Sequence, residues 1–219
     1  MTTEKRAQKK EMIIYAAIKM LQDNSYNDVR IEDIAKQLDI VKSNVFYYFP
    51  SKGELYLQVL GKLHSDLIER FILEVNQTPL KTVGDFKKLI MKLTDIYIRD
   101  FLPLIKLSIE STRILNECSR EKILQYNKEG NQLDDRLHSI ILGKLDAFNR
   151  NEVYYIFEVQ EHFLRGYYQD MIINAGYAVQ DDGDVTWERL SLYEFRVTRM
   201  LRFFFDGMVY EKGKNLLDK

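Results

Sequence analysis

Lys42, Ser43, Asn44, Tyr47, Tyr48 and Lys52 lie within one short stretch, VKSNVFYYFPSK, and every one of them ends in a hydrogen-bonding group. Their chemistry is recognition without bond making. Serine and asparagine offer donors and acceptors of the kind that read base edges, while lysine ammonium and phenolic hydroxyl groups hold phosphate oxygens. Helical spacing sorts the stretch by direction. Val41, Val45 and Phe49 recur four apart on one face, Ser43 and Tyr47 lie opposite, and Asn44 and Phe46 flank them. A helix with that apolar spine turned inward would present Lys42, Ser43, Asn44, Tyr47 and Tyr48 outward, a surface that fits a DNA major groove.

The elements that must hold this helix are legible on either side. Ile13, Ala16, Ala17, Met20 and Leu21 form the apolar stripe of a first helix, which the turn-forming Asp23-Asn24-Ser25 closes. Ile31, Ile34, Ala35 and Leu38 face inward from a short second helix, and Asp39 occupies the turn after it. Pro50 cannot extend the third helix because it lacks an N–H. Ser51-Lys52-Gly53-Glu54 has the form of a capping box that starts a fourth helix through Leu55, Val59, Leu63 and Leu67 toward Val75, with a break at Pro79. Further helices are expected at roughly 83–101, 103–116, 120–148, 151–175 and 187–212. The connections are Asn116-Glu117-Cys118-Ser119, Asn149-Arg150-Asn151 and the acidic Gln180-Asp181-Asp182-Gly183-Asp184. The expected fold class is all-α: a three-helix helix-turn-helix head joined by a fourth helix to a larger helical body.

Residues Ile13 to Leu60 resemble the DNA-binding region of the TetR family of bacterial transcription regulators. The resemblance is carried by Ala16-Ala17, Tyr26, Asp33-Ile34-Ala35, Lys42 at the start of the recognition helix, the Tyr47-Tyr48-Phe49 triplet and Ser51-Lys52. It implies that Lys42, Ser43 and Asn44 face bases and nearby backbone and that Phe46 touches a thymine methyl or sugar. It also implies phosphate contacts from Tyr47 and Tyr48, and from Lys52 at the start of the fourth helix. Arg30 stands where the family usually has a threonine cap, Asp39 where it has glycine and Val41 where it has serine. Pro50 and Gly53 also depart from the pattern. The resemblance further implies a DNA-binding domain over 1–50 and a ligand-binding and dimerisation domain over 51–219. The implied partners are double-stranded operator DNA, a second copy of the chain and a small-molecule effector that releases a repressor from its operator.

Composition bounds these expectations. Of 219 residues, 32 are basic and 33 acidic, so any nucleic-acid surface must be local. The first 62 residues carry 10 basic and 8 acidic side chains, the rest 22 and 25. Lys5, Arg6, Lys9 and Lys10 are either a basic arm or the solvated face of the first helix. A single cysteine, Cys118, excludes an intramolecular disulfide. With no signal peptide and no apolar run of about 20 residues, the expected location is the cytoplasm, away from membranes. His64, His138 and His162 are far apart, and no phosphate-binding glycine loop or metal-ligand spacing occurs, so neither catalysis nor a cofactor nor a metal is expected. The competing reading is a helical scaffold that binds proteins and not DNA.

In the body, Tyr155, Val159, His162, Phe163, Gly166 and Tyr167 recur at three- and four-residue steps, as do Phe195, Met200, Phe203, Phe204 and Met208. Such faces form either a four-helix bundle with a twin or a core within the chain. Tyr97, Phe101, Glu110, Tyr126, Phe157 and His162 are the candidate liners of a pocket that is apolar with few polar anchors.

Overall fold

Apolar residues at helical spacing, with proline confined to element ends, leave the backbone one economical way to satisfy its hydrogen bonds. The computed structural model describes residues 3–177 and 187–217, and every regular element among them is an α-helix. In chain order these are α1 (Thr3–Asp23), α2 (Ile31–Gln37), α3 (Lys42–Tyr48), α4 (Lys52–Gln77), α5 (Val83–Asp100), α6 (Leu102–Ser108), α7 (Ser111–Asn116), α8 (Arg120–Leu142), α9 (Arg150–Tyr177) and α10 (Trp187–Leu217). The all-α expectation holds. The expected connection Gln180 to Asp184 lies outside the described residues.

Two compact units divide the chain: Met1–Ile68 with Phe101–Asp134, and Glu69–Asp100 with Asp135–Lys219. In the first, Ile13, Ala17 and Leu21 of α1, Ile34 and Ala35 of α2, Val45 of α3 and Leu55, Tyr56 and Val59 of α4 are buried, as are Leu107 and Ile114. The C-terminal carbonyls of α1 would otherwise go unsatisfied. Lys106 donates to the Leu21 and Gln22 oxygens at 3.0 and 2.8 Å, which satisfies two of them.

The second unit is centred on aromatic rings. Phe86 meets Phe148 and Phe205 at 5.1 and 5.8 Å between centroids. Val153, Ile156, Leu164 and Tyr168 of α9 and Tyr193, Val197, Leu201 and Phe205 of α10 complete the buried set. Tyr193 donates its hydroxyl to the Leu164 carbonyl at 3.0 Å. Lys144 repeats the device of Lys106: its ammonium bonds the Val75 and Asn76 oxygens at the end of α4, at 2.7 and 3.1 Å.

Two expected helices are shorter than their periodicity suggests. The stretch 103–116 breaks at Ile109–Glu110, where the Glu110 N–H bonds the Leu107 oxygen and α7 starts afresh. The stretch 120–148 stops at Leu142 because Gly143 and Lys144 form a turn that points Leu145 and Phe148 inward. In both cases apolar spacing runs through the break, since turn residues also contribute to the core. Asn149 then caps α9 reciprocally: its side chain accepts the Glu152 N–H at 3.0 Å and its own N–H bonds the Glu152 carboxylate at 2.7 Å.

Candidate nucleic-acid interface

The turn between α2 and α3 sets the direction of the candidate reading helix. Asp39 adopts φ 52°, the left-handed region, and stands just past the Leu38 cap of α2. The Ile40 N–H reaches back to the Ala35 oxygen at 3.0 Å and the Asp39 N–H to that of Lys36 at 3.2 Å. This is the helix-ending pattern usually built on glycine, and aspartate is among the few side chains that tolerate it. At the other end of α2, the Asp33 carboxylate accepts the Arg30 N–H at 3.2 Å, leaving the Arg30 side chain exposed. Asp33 thus supplies the returning half of a capping box, while its own N–H bonds the Arg30 backbone oxygen at 3.1 Å.

Within α3, Val45 is fully buried and Phe49, its cap residue, is 3 % exposed. Lys42, Ser43, Asn44, Phe46 and Tyr47 are exposed and Tyr48 is half-buried. Val41 departs from expectation. It is 63 % exposed and has extended backbone as the residue before the helix, so helical spacing does not govern where it points. Lys42 forms an exposed ion pair with Glu32, whose carboxyl that bond holds below its ordinary range, and its ammonium lies 5.4 Å from the Phe46 ring centroid. An exposed pair of this kind is weak and exchanges readily for a phosphate. Tyr47 and Tyr48 pack edge to face at 5.0 Å.

The start of α4 is already engaged within the chain. Ser51 accepts the Glu54 N–H at 3.0 Å and donates its hydroxyl to the Glu117 carbonyl at 3.0 Å. Glu117 also places its carboxylate on the Gly53 N–H at 2.9 Å. The Lys52 ammonium bonds the Tyr26 carbonyl at 2.6 Å and lies 4.2 Å over the Tyr26 ring, where burial pulls its pKa down. A half-buried lysine in that position retains two further N–H donors, but its reach is set by Tyr26.

Residues 13–59, spanning α1 to α4, match the model of the tetR family of bacterial regulatory proteins. The matched segment is similar to that family. The chain is also similar to the HTH-type transcriptional regulator RutR of Escherichia coli K12, 32 % identical over 129 residues, which cover 54 % of this chain and 50 % of RutR. A second relative is the HTH-type regulator YuxN of Bacillus subtilis, 32 % identical over 78 residues, or 36 % of this chain and 25 % of YuxN. The chain thus spans half the length of RutR and a quarter of YuxN. A crystal structure from Mesorhizobium loti, described as a tetR-family transcriptional regulator, shares the fold with a TM-score of 0.52 at 15 % identity, covering 94 % of this chain and 98 % of that one.

The helical body disperses the six candidate pocket residues. Tyr97 and Phe157 converge on Phe71 in the second unit, at 6.2 and 6.4 Å between centroids. Phe101 and Glu110 are half-buried and precede α6 and α7 in the first unit. Tyr126, also in the first unit, lines a cavity of about 290 Å³ between α1, α4 and α8 together with Tyr15, Lys62 and His64. His162 is exposed, 2.7 Å from the Glu158 carbonyl. Sequence reading missed the polar groups that do lie in the second unit's core. His138 stacks on Phe157 at 5.1 Å, Gln160 donates to the Thr94 hydroxyl at 2.7 Å, and Glu74 is paired with Lys92 and Arg70. Their signal was a polar residue interrupting an apolar row, as Gln160 does between Ile156 and Leu164.

The faces of α9 and α10 separate cleanly. Opposite the buried rows, Tyr155, Gly166, Phe195 and Phe203 are exposed, while Val159, Phe163, Tyr167, Met200, Phe204 and Met208 are half-buried. Tyr155 and Phe204 touch at 5.5 Å, and the Arg199 guanidinium lies over both Phe195 and Phe203. Among the described residues, no helix is long and apolar enough to cross a membrane, and no group of three or more potential ligands is placed to hold a metal ion.

Proposed function

We propose that this tetR-family regulator is a cytoplasmic repressor whose head, residues 1–50, binds operator DNA while residues 51–219 dimerise and take up a small-molecule effector. The observation that carries the DNA reading is the split of α3. Val45 and Phe49 are buried, whereas Lys42, Ser43, Asn44, Phe46 and Tyr47 remain exposed on a helix narrow enough for the major groove. Ser43 and Asn44 are assigned to base edges, Phe46 to a thymine methyl or sugar, and Lys42, Tyr47, Tyr48 and Arg30 to the backbone. Lys52 joins them through the donors that Tyr26 leaves over.

Dimerisation is supported by the unburied rows of α9 and α10, which carry aromatic side chains on the side opposite the chain's own core. Two heads on one face of B-DNA require half-sites about 34 Å apart or a multiple of that distance. An effector that releases DNA must bind the free form more tightly, and operator and effector then weaken each other by the same factor.

The deciding experiment selects genomic DNA fragments bound by the protein and measures their affinity against salt concentration. A steep slope and an enriched inverted repeat are expected. Salt-insensitive binding of a protein partner, with no DNA recovered, would return the chain to the scaffold reading.

A further inference from the structure

The family match begins at residue 13, yet α1 begins at Thr3, so ten helical residues precede the matched segment. They span about 15 Å at helical rise. Two rows run along this helix. Arg6 and Lys10 continue at three- and four-residue steps into Ile13, Ala17 and Leu21, and Lys5 and Lys9 lead into Ile13, Ala16 and Met20. The face that is apolar and packed against the head from residue 13 onward therefore becomes basic where it runs past the packed core. Glu4 and Glu11, the acids of this segment, lie on the opposite side.

That basic face adjoins α3. The Arg6 guanidinium lies 5.5 Å from the centroid of the Tyr47 ring, and the Lys10 ammonium 5.9 Å from that of Phe49. Lys9 shares with Asn44, Tyr47 and Tyr48 a surface groove of about 440 Å³. A guanidinium stacked on an aromatic face keeps its in-plane N–H edges free for bidentate bonding to a phosphate. Tyr47 and Arg6 thus present a phenol and a cation side by side.

We infer that the first turns of α1 are a second DNA-contacting element, with Arg6, Lys9 and Lys10, joined by Lys5, gripping phosphates along one rim of the groove that α3 enters. The inference rests on the DNA-binding reading above. Because cations on a helix face recognise backbone charge and not base sequence, the element raises affinity for all duplex DNA alike. The basic cluster lies on the solvated face of α1, and in this inference that face also serves DNA.

The test compares wild type with a variant carrying Lys5→Gln, Arg6→Gln, Lys9→Gln and Lys10→Gln, using fluorescence anisotropy on an operator fragment and on random-sequence duplex. Each lost phosphate contact should lower the salt slope by about 0.9, so the full variant loses about two to four units. The ratio of operator to random affinity should stay constant. Arg6→Gln and Lys9→Gln alone should each lose about one unit, and Glu4→Gln with Glu11→Gln, on the far side, should lose none. Circular dichroism that matches wild type shows that the fold survives. A folded full variant with the wild-type slope overturns the inference while leaving the recognition helix untouched; a wild type that binds no duplex overturns both.

Discussion

The Glu117 carboxylate accepts the backbone N–H of Gly53 at 2.9 Å, so an acid from the turn between α7 and α8 caps the start of α4. A helix start favours negative charge, and Glu117 supplies it from 64 residues away. A Cβ at position 53 would press on the Glu117 side chain well inside contact distance and lie 2.7 Å from the Ile114 carbonyl oxygen. The departure from the family pattern at Gly53 is thereby explained by close approach and not by backbone conformation.

Gly53→Ala should therefore destabilise the protein although alanine is the better helix former. Overpacking against a backbone oxygen costs about 1–3 kcal/mol, more than the gain in helix propensity of up to about 1 kcal/mol. Urea denaturation followed by circular dichroism measures the difference. Equal or greater stability would mean that α7 yields to the methyl group.

Glu117→Gln should separate stability from DNA affinity. The amide can still accept the Gly53 N–H, so stability should fall by at most about 1 kcal/mol. Removing the negative charge beside Lys52 should at the same time tighten DNA binding several-fold at low salt, because a phosphate approaching α4 no longer meets a carboxylate. Binding isotherms at two salt concentrations check this, and affinity that stays constant or weakens contradicts it.

Asp39→Gly should leave the structure intact and raise stability slightly, since glycine enters the left-handed region without strain. Asp39→Val should cost about 1–2 kcal/mol, because a branched Cβ crowds the following carbonyl there. Thermal melting ranks the two variants. DNA affinity should fall with Asp39→Val as the α2–α3 turn loosens.

Phe203→Glu combined with Phe204→Glu should produce monomers by sedimentation and abolish operator binding. Phe203 is 59 % exposed and Phe204 half-buried, so the charges would not enter the core, whereas neighbouring Phe205 is 1 % exposed. A dimer that persists moves the interface off this face of α10.

Cys118 should alkylate slowly. Burial first, then the Glu54 and Glu117 carboxylates, push its thiol up to about 11, and the Sγ hydrogen points to the Ile114 oxygen at 3.2 Å. Near pH 8 the thiolate fraction is then on the order of a hundredfold below that of a free cysteine, whose pKa is about 8.5. The iodoacetamide rate should climb about tenfold per pH unit up to that range, and Glu117→Gln should raise it at fixed pH by removing one of the charges that disfavour thiolate.

The amino-acid sequence by itself determined the helical class, the order of the head's elements and the outward set of α3, because periodicity states which residues share a face of a helix. It placed Val45 and Phe49 inward correctly and failed at Val41, where no helix exists to impose the spacing. It also marked the aromatic rows of α9 and α10 without deciding which met the chain's own core. Periodicity is blind to neighbours: Tyr155 and Ile156 are adjacent letters, and only packing made one exposed and the other buried. The same holds for Glu117 at Gly53, Lys106 at the end of α1 and Gln160 at Thr94. Each joins groups far apart in sequence, and satisfying a buried or helix-end polar group depends on what the folded chain brings within about 3 Å of it, which no local pattern of residues encodes.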